Sequence, residues 1–300
     1  MSQLVLELEK LGVLSRDRLE MYYPRVRDRE DVAVLRDPVT EIIVLSRCDH
    51  VSEIYYAERE EKYGYSVHGK EVVTPRLEDN VRRAAEFGGY IRNKRWLDFG
   101  CGLGGMLDEL ALEAAWAGGL EPSRERAAIV SSKGHNVVAC LDELADNTLD
   151  VVTMFHVLEH LIDPVSVLRS IRRVLRPEGR LLIEVPHARD ALFTLYDCEA
   201  FKRFTFWSEH LVLHTRQSLK AILQAAGYRN SEIVGYQRYP LANHLYWLAK
   251  QKPGGHEAWG FLSFEEVNAE YQSALSKIDR TDSLTVICSH VISPSSGDKQ

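Results

Sequence analysis

The sequence predicts an α/β protein: a doubly wound, mostly parallel sheet with helices on both faces. Three observations predict it. From about residue 94 to residue 185, strand-like and helix-like segments alternate regularly, the pattern of βα units. The strand-like segments are near-continuous apolar runs, as in Leu149–Phe155 (LDVVTMF) and Arg180–Val185 (RLLIEV), which suits strands buried on both faces of a parallel sheet. A glycine-rich turn, Gly100-Cys101-Gly102-Leu103-Gly104-Gly105, follows the first of these strands and opens a helix.

Before this region, Leu4–Leu14 reads as a short helix. Val32–Leu35 and Glu41–Leu45 read as two short strands around the turn at Asp37-Pro38. Leu77–Phe87 has helical spacing, with a break expected at Gly88-Gly89. The alternating region then runs as strand Arg95–Phe99, helix Gly105–Glu113, strand Ala114–Leu120, helix Ser123–Lys133, strand Asn136–Leu141 and strand Leu149–Phe155. An amphipathic helix, Pro164–Leu175, ends at the turn Arg176-Pro177-Glu178-Gly179 before strand Arg180–Val185. Gln217–Ala226 is a helix stopped by Gly227, and Ser231–Tyr236 and Leu284–His290 are two more strands. The stretch between those strands carries helical segments Leu241–Lys250 and Phe264–Ile278 and is too long for a hairpin loop. The expected organisation is an N-terminal extension over residues 1–92 that contributes to the cleft, and a main domain over 93–292. A helical insertion at about 237–282 covers the mouth of the site, and a disordered tail occupies 293–300.

The composition suits a protein with an ordinary buried core: 45% of the 300 residues are hydrophobic and 27% charged. The formal net charge of −7 argues against a nucleic-acid partner, which needs a basic stripe to displace counterions from phosphates. The five cysteines (Cys48, Cys101, Cys140, Cys198 and Cys288) are scattered and show no CxxC, which fits free thiols in a reducing cytoplasm. Acids interrupt the apolar N-terminus MSQLVLELEKLG, so no secretory signal is expected, and no apolar run of membrane-spanning length occurs. A small-molecule acceptor and a cytoplasmic location are expected, and a homodimer is compatible with the sequence.

Glycines in the turn let the backbone bend tightly and approach a ligand, and the helix behind them offers free N–H groups to an anion. Gly100, Gly102 and Gly105 also satisfy the dinucleotide fingerprint GxGxxG. Two acids separate the readings. Asp98, at the end of the strand, suits the amino group of an amino-acid ligand and would repel a pyrophosphate. Glu121, at the end of the next strand, can accept hydrogen bonds from ribose hydroxyls. With these residues in place, the order DFGCGLGG, LEPS, LDVVTMFHVLEHLIDP and VLRPEGRLLIEVP resembles class I S-adenosylmethionine-dependent methyltransferases over about residues 94–236. The resemblance implies a seven-stranded sheet whose last strand is antiparallel and S-adenosyl-L-methionine as cofactor, leaving S-adenosyl-L-homocysteine as product. It implies that Asp98 contacts the methionine moiety beside Gly100, Gly102 and Gly104, that Glu121 holds the ribose, that Leu141 and Asp142 flank adenine, and that His156 lies by the methionine part.

The catalytic candidates are histidines. His156-Val157-Leu158-Glu159-His160 matches HxxEH, yet the segment leaves a buried strand and shows no third ligand, so no metal is expected. Glu159 and His160 can instead orient the loop by hydrogen bonds. Glu209-His210 lies among Phe204, Phe206 and Trp207, and aromatics around one polar pair suit a pocket for a ring-shaped substrate. The segment resembles an EH-containing loop of sugar methyltransferases, which implies His210 as general base, with Glu209 beside it. His160 and His187 follow as candidates, then His214 and His244. Arg238, Asn243 and His244 in the insertion are further acceptor-binding candidates. The expected reaction is methyl transfer to a hydroxyl of a sugar or sugar nucleotide in surface-polysaccharide biosynthesis. A quinone or other aromatic acceptor is the alternative. An NAD-dependent dehydrogenase and a non-catalytic binding module are the readings from other classes.

Overall fold

The structure, a computed structural model, describes residues 2–51, 55 and 78–289. Leu77, His290 and the tail 293–300 lie outside the described residues.

The chain opens with helix Gln3–Lys10, capped by Ser2 and buried through Leu4, Val5 and Leu8. Strands β1 (Glu20–Tyr23), β2 (Val34–Arg36) and β3 (Ile43–Leu45) follow as an antiparallel meander. Asp37 shapes the turn between β2 and β3. Its buried carboxylate accepts hydrogen bonds from the backbone N–H groups of Ser15, Val39 and Thr40 and from Arg18. Helix Glu78–Ile91 runs through Gly88 and Gly89 without a break, contrary to the sequence expectation. Phe87 and Ile91 anchor it on both sides of the pair, and a Cβ at Gly88 would stand 3.4 Å from Leu110. Gly88 there packs against helix Gly105–Leu110, and Gly89 has open space where a Cβ would be, so neither ends this helix.

The main sheet comprises β4 (Arg95–Phe99), β5 (Trp116–Leu120), β6 (Asn136–Val138), β7 (Leu149–Phe155), β8 (Leu175–Pro186), β10 (Asn230–Tyr236) and β11 (Ser283–Ser289). The order across it is β10-β11-β8-β7-β4-β5-β6, with β11 antiparallel to both neighbours and the β8-β7-β4-β5-β6 run parallel. Helices Gly105–Leu110, Arg124–Ser132, Pro164–Val174 and Arg216–Ala225 make the crossovers. β6 stops at Val138 rather than Leu141, because its only partner among the described residues, β5, ends at Leu120 and turns away at Glu121-Pro122. β8 begins at Leu175, ahead of the expected turn at Arg176–Gly179, since Leu175 pairs with Leu149 before the register shifts. Between β10 and β11 lie helices Leu241–Lys250, Gly255–Ala258 and Glu265–Lys277.

A two-residue strand, β9 (Val212–Leu213), joins the loop after β8 to the N-terminal strands. It pairs with β3, Ile43 opposite Leu213 and Val44 opposite Val212, and completes a four-stranded sheet β1-β2-β3-β9. Neither β1 nor β9 is expected from the sequence, since four and two residues are too few to show a period. Among the described residues no helix is long and apolar enough to cross a membrane.

Burial opposes ionisation of Asp37, but Arg18 and the three N–H groups hold its carboxyl at about 2. Asp37→Ala orphans those donors and is expected to lower stability by on the order of 1–3 kcal/mol in a urea titration. The folded carboxyl titrates below its unfolded value, so its contribution is complete above about pH 4 and is lost as pH falls toward 2. The variant's deficit should shrink across that window.

Candidate active site

β4 and β5 end side by side, and the glycine turn folds between their ends. Gly100 and Cys101 donate backbone N–H bonds to Leu120 O. Gly100, Gly102 and Gly104 all have positive φ, at 76°, 57° and 80°. A Cβ on Gly100 would lie 2.4 Å from Val157, so the turn packs against the segment that leaves β7. Gly102 has open space where a Cβ would be.

Asp98 is buried beneath this turn and accepts a 2.6 Å hydrogen bond from the Thr153 hydroxyl. Thr153 in turn accepts one from the Trp96 indole at 2.9 Å. Burial raises the Asp98 pKa to about 6, against the lowering effects of Thr153 and Arg83. Glu121 is buried next to it and accepts N–H bonds from Gly102 and Ser123, both at 2.9 Å. A buried acid beside an open glycine turn, with a second acid one strand away, fits the amino group and ribose of S-adenosylmethionine. Leu141 is buried at the start of a 3₁₀ turn after β6. Asp142 is 92% exposed at its side chain and pairs with Arg173.

His156 leaves β7 at a φ of 55°. Its backbone N–H bonds Glu184 O, and its ring lies between two buried carboxylates: Glu159 at 3.1 Å and Glu184 at 3.3 Å. Burial disfavours the proton, but the two acids prevail and raise the His156 pKa. Glu184 also holds Arg82 at 2.8 Å and Arg83 at 2.5 Å.

Beyond His156 opens a cavity of about 500 Å³. His160 and His210 face each other there with ring centroids 5.0 Å apart, and Trp207 packs edge-on to both. The loop carrying His210 is fastened to the segment after β7 by the bond from Leu211 N to Glu159 O. Burial, and then the neighbouring His160, hold the His210 pKa well below its ordinary value. Burial also lowers that of His160, against the pull of Glu159 and Glu209. Both rings are therefore neutral at pH 7 and able to accept a proton. Phe193, Phe201, Phe204, Trp247 and Tyr239 form the aromatic walls, and Arg27 reaches the cavity from the N-terminal extension.

Other candidates have structural partners. Glu209 is buried and takes a hydrogen bond from Tyr55. His187, His214 and His244 are buried, with pKa values lowered to about 4. His187 and His244 nonetheless line the cavity, as does Asn243, whose side chain accepts the Gly255 N–H. Arg238 is fixed to Asp79 by a two-point ion pair. The HxxEH histidines do not converge on a shared ligand. Instead Glu159, His160 and His210 place one ligand atom each within 4.8 Å of one another, a cluster that can hold a divalent cation. Spacing within one motif could not reveal it, because His210 arrives from a loop 50 residues later. Asp190, Phe193 and Trp247 were missed for the same reason: no local period marks a residue that only the tertiary fold brings to the cavity.

The sheet order, with its antiparallel β11, and the two-acid glycine site define a class I S-adenosylmethionine-dependent methyltransferase. Residues 70–233 match the family model described as "Methyltransferase domain", and the chain belongs to that family. Relatives include the "Ubiquinone biosynthesis O-methyltransferase" of Photobacterium profundum, 26% identical over 54% of this chain and 74% of that protein. The protein of the same name from Aeromonas salmonicida is 28% identical over 52% of this chain and 72% of its own length. Among solved structures, a SAM-dependent methyltransferase from Archaeoglobus fulgidus shares the fold, with a TM-score of 0.51 and 22% identity over 72% of this chain and 94% of that one.

Thr153 serves two partners, so Thr153→Val leaves the buried Trp96 N–H without its acceptor and Asp98 without its donor. A loss of about 1–3 kcal/mol is expected by thermal or urea unfolding. The Asp98 carboxyl should titrate still higher, which NMR of a ¹³C-labelled carboxyl would show.

Proposed function

We propose that this methyltransferase acts on a hydroxyl of an aromatic small molecule, with His210 removing the proton. The observation that carries this reading is the neutral His160–His210 pair opening into an aromatic-walled cavity beside His156. When bound, S-adenosylmethionine supplies an electrophilic methyl group on a positively charged sulfur. Asp98 holds its amino group, Glu121 its ribose hydroxyls, and Gly100, Gly102 and Gly104 let the backbone close on it. Leu141 and Asp142 flank its adenine. His156 stands by its methionine part, fixed by Glu159 and Glu184. The aromatic walls stack the acceptor ring and hold its hydroxyl in line, which is worth most of the acceleration in such a displacement. His210 takes the hydroxyl proton as the oxygen gains its methyl group, and His160 stands ready to pass it on. The names of the relatives support an aromatic acceptor. The sugar-nucleotide reading has less support, because Arg238, the residue suited to a phosphate, is bound to Asp79. The cluster of Glu159, His160 and His210 favours a second reading, in which a divalent cation there binds the acceptor oxygen and eases its deprotonation.

The test is methyl transfer from labelled cofactor to a panel of phenols, catechols and nucleotide sugars. Transfer to the phenolic members is expected; transfer to the sugars alone would overturn the proposal. His210→Ala should lower kcat by roughly 10²–10⁴-fold while leaving cofactor affinity unchanged. Because the His210 pKa lies below its ordinary value, the acid limb of the wild-type pH profile should fall below about pH 6.5. Inhibition by a chelator, reversed by added divalent metal, would select the second reading.

Asp98→Asn should weaken S-adenosylmethionine binding at least tenfold by calorimetry. The wild-type affinity should hold above about pH 6 and fall below it, as Asp98 takes up the proton that its raised pKa allows.

A further inference from the structure

The cavity holds a buried acid that the chemistry above does not use. Asp190 follows β8, is only 4% exposed and lines the cavity. One of its oxygens accepts the Leu192 N–H at 2.7 Å. The other has no hydrogen-bond partner among the described residues, and no basic side chain pairs with it. Asp282 lines the same cavity and adds a second, half-buried carboxylate, whose oxygens accept N–H bonds from Gln237, Arg238 and Tyr239. The cavity's arginines are committed elsewhere: Arg83 to Glu184, Arg238 to Asp79, and Arg27 to Phe204 O and the Trp207 face. Burial and the neighbouring Asp282 push the Asp190 pKa well up, the expected state of an acid deprived of its counter-charge.

A buried, unpaired carboxylate is costly unless something satisfies it. The aromatic side chains of Phe193, Tyr239 and Trp247 line the same space, and aromatic rings also attract a cation. We infer that Asp190 is the anchor of an ammonium subsite, so that the acceptor is an aromatic hydroxyl compound bearing an aliphatic amine. This rests on the aromatic-acceptor reading above and narrows it. Asp190 acts by charge on the acceptor's amine, while His210 acts on its hydroxyl at the cofactor side of the same cavity. Asp282 strengthens the field without giving up its backbone partners.

The experiment is calorimetric binding of tyramine and of its uncharged alcohol counterpart, tyrosol, to the full chain with excess S-adenosylhomocysteine. Tyramine should bind at least tenfold more tightly. Asp190→Asn keeps an oxygen for the Leu192 N–H and so preserves the local turn. It should abolish the preference while leaving tyrosol affinity within about twofold. Equal affinities in the wild type, a preference that survives in Asp190→Asn, or binding of neither compound would overturn the subsite. Because binding is measured without turnover, the two readings fail separately. A protein that prefers tyramine yet methylates no phenol keeps the subsite and loses the reaction. One that methylates phenols with no preference for amines does the reverse.

Discussion

The buried carboxylate of Glu184 is the joint on which the site depends. It sits inside β8 with no exposure and binds Arg82 and Arg83 from helix Glu78–Ile91, while the His156 ring reaches it from the end of β7. Three separate pieces of chain are thus fixed to one point. An acid in such a place is tolerated only with its full complement of partners, and removing any one strands the others at a cost of several kcal/mol. The guanidinium groups are braced in turn, Arg82 over the Tyr236 ring and Arg83 over Phe155. These contacts bring the N-terminal helix, the end of β7 and the edge strand β10 together around one end of the sheet.

That joint divides the histidines into two kinds. His156 lies between two acids, which raise its affinity for a proton. His160 and His210 lie a short step away, where burial and each other's proximity keep them neutral. One imidazole with a raised pKa beside two with lowered pKa values cannot come from sequence spacing alone. It follows from which rings the carboxylates of Glu159 and Glu184 can reach. The same principle operates at Asp98, where a single hydrogen bond from Thr153 is too little to restore an ordinary carboxyl pKa.

The central sheet was legible in the sequence because the inner strands β4, β7 and β8 are apolar runs buried on both faces, and β4 stops at a glycine while β8 closes on Pro186. Arg95–Phe99 and Leu149–Phe155 came out at their observed bounds. The misplaced boundaries were set by partners: β6 is short because β5 runs out, and β8 is long because Leu149 offers Leu175 a pairing. Gly88-Gly89 misled because a glycine that breaks an isolated helix can equally admit a neighbour. On the cofactor side, Asp98 and Glu121 were visible because both lie within two residues of a strand end. On the acceptor side, the aromatic walls, Asp190 and the Glu159–His160–His210 grouping come from four distant stretches of chain, and only the fold assembles them.

The pairing of β9 with β3 has a consequence for how this protein can vary. The loop that carries His210 is stitched into a sheet made otherwise of residues from the first 45 positions. The surroundings of the cavity are therefore a composite: its aromatic walls come from residues 193–247, while the sheet that fixes the loop carrying His210 comes from the first 45 positions. A recombination that exchanged the front of the chain would leave the glycine turn and its acids untouched, yet it would reset the position of His210 and Trp207. The shape of the cavity in such a design can drift without any substitution among its lining residues, through the register of the two residue pairs that join β3 and β9.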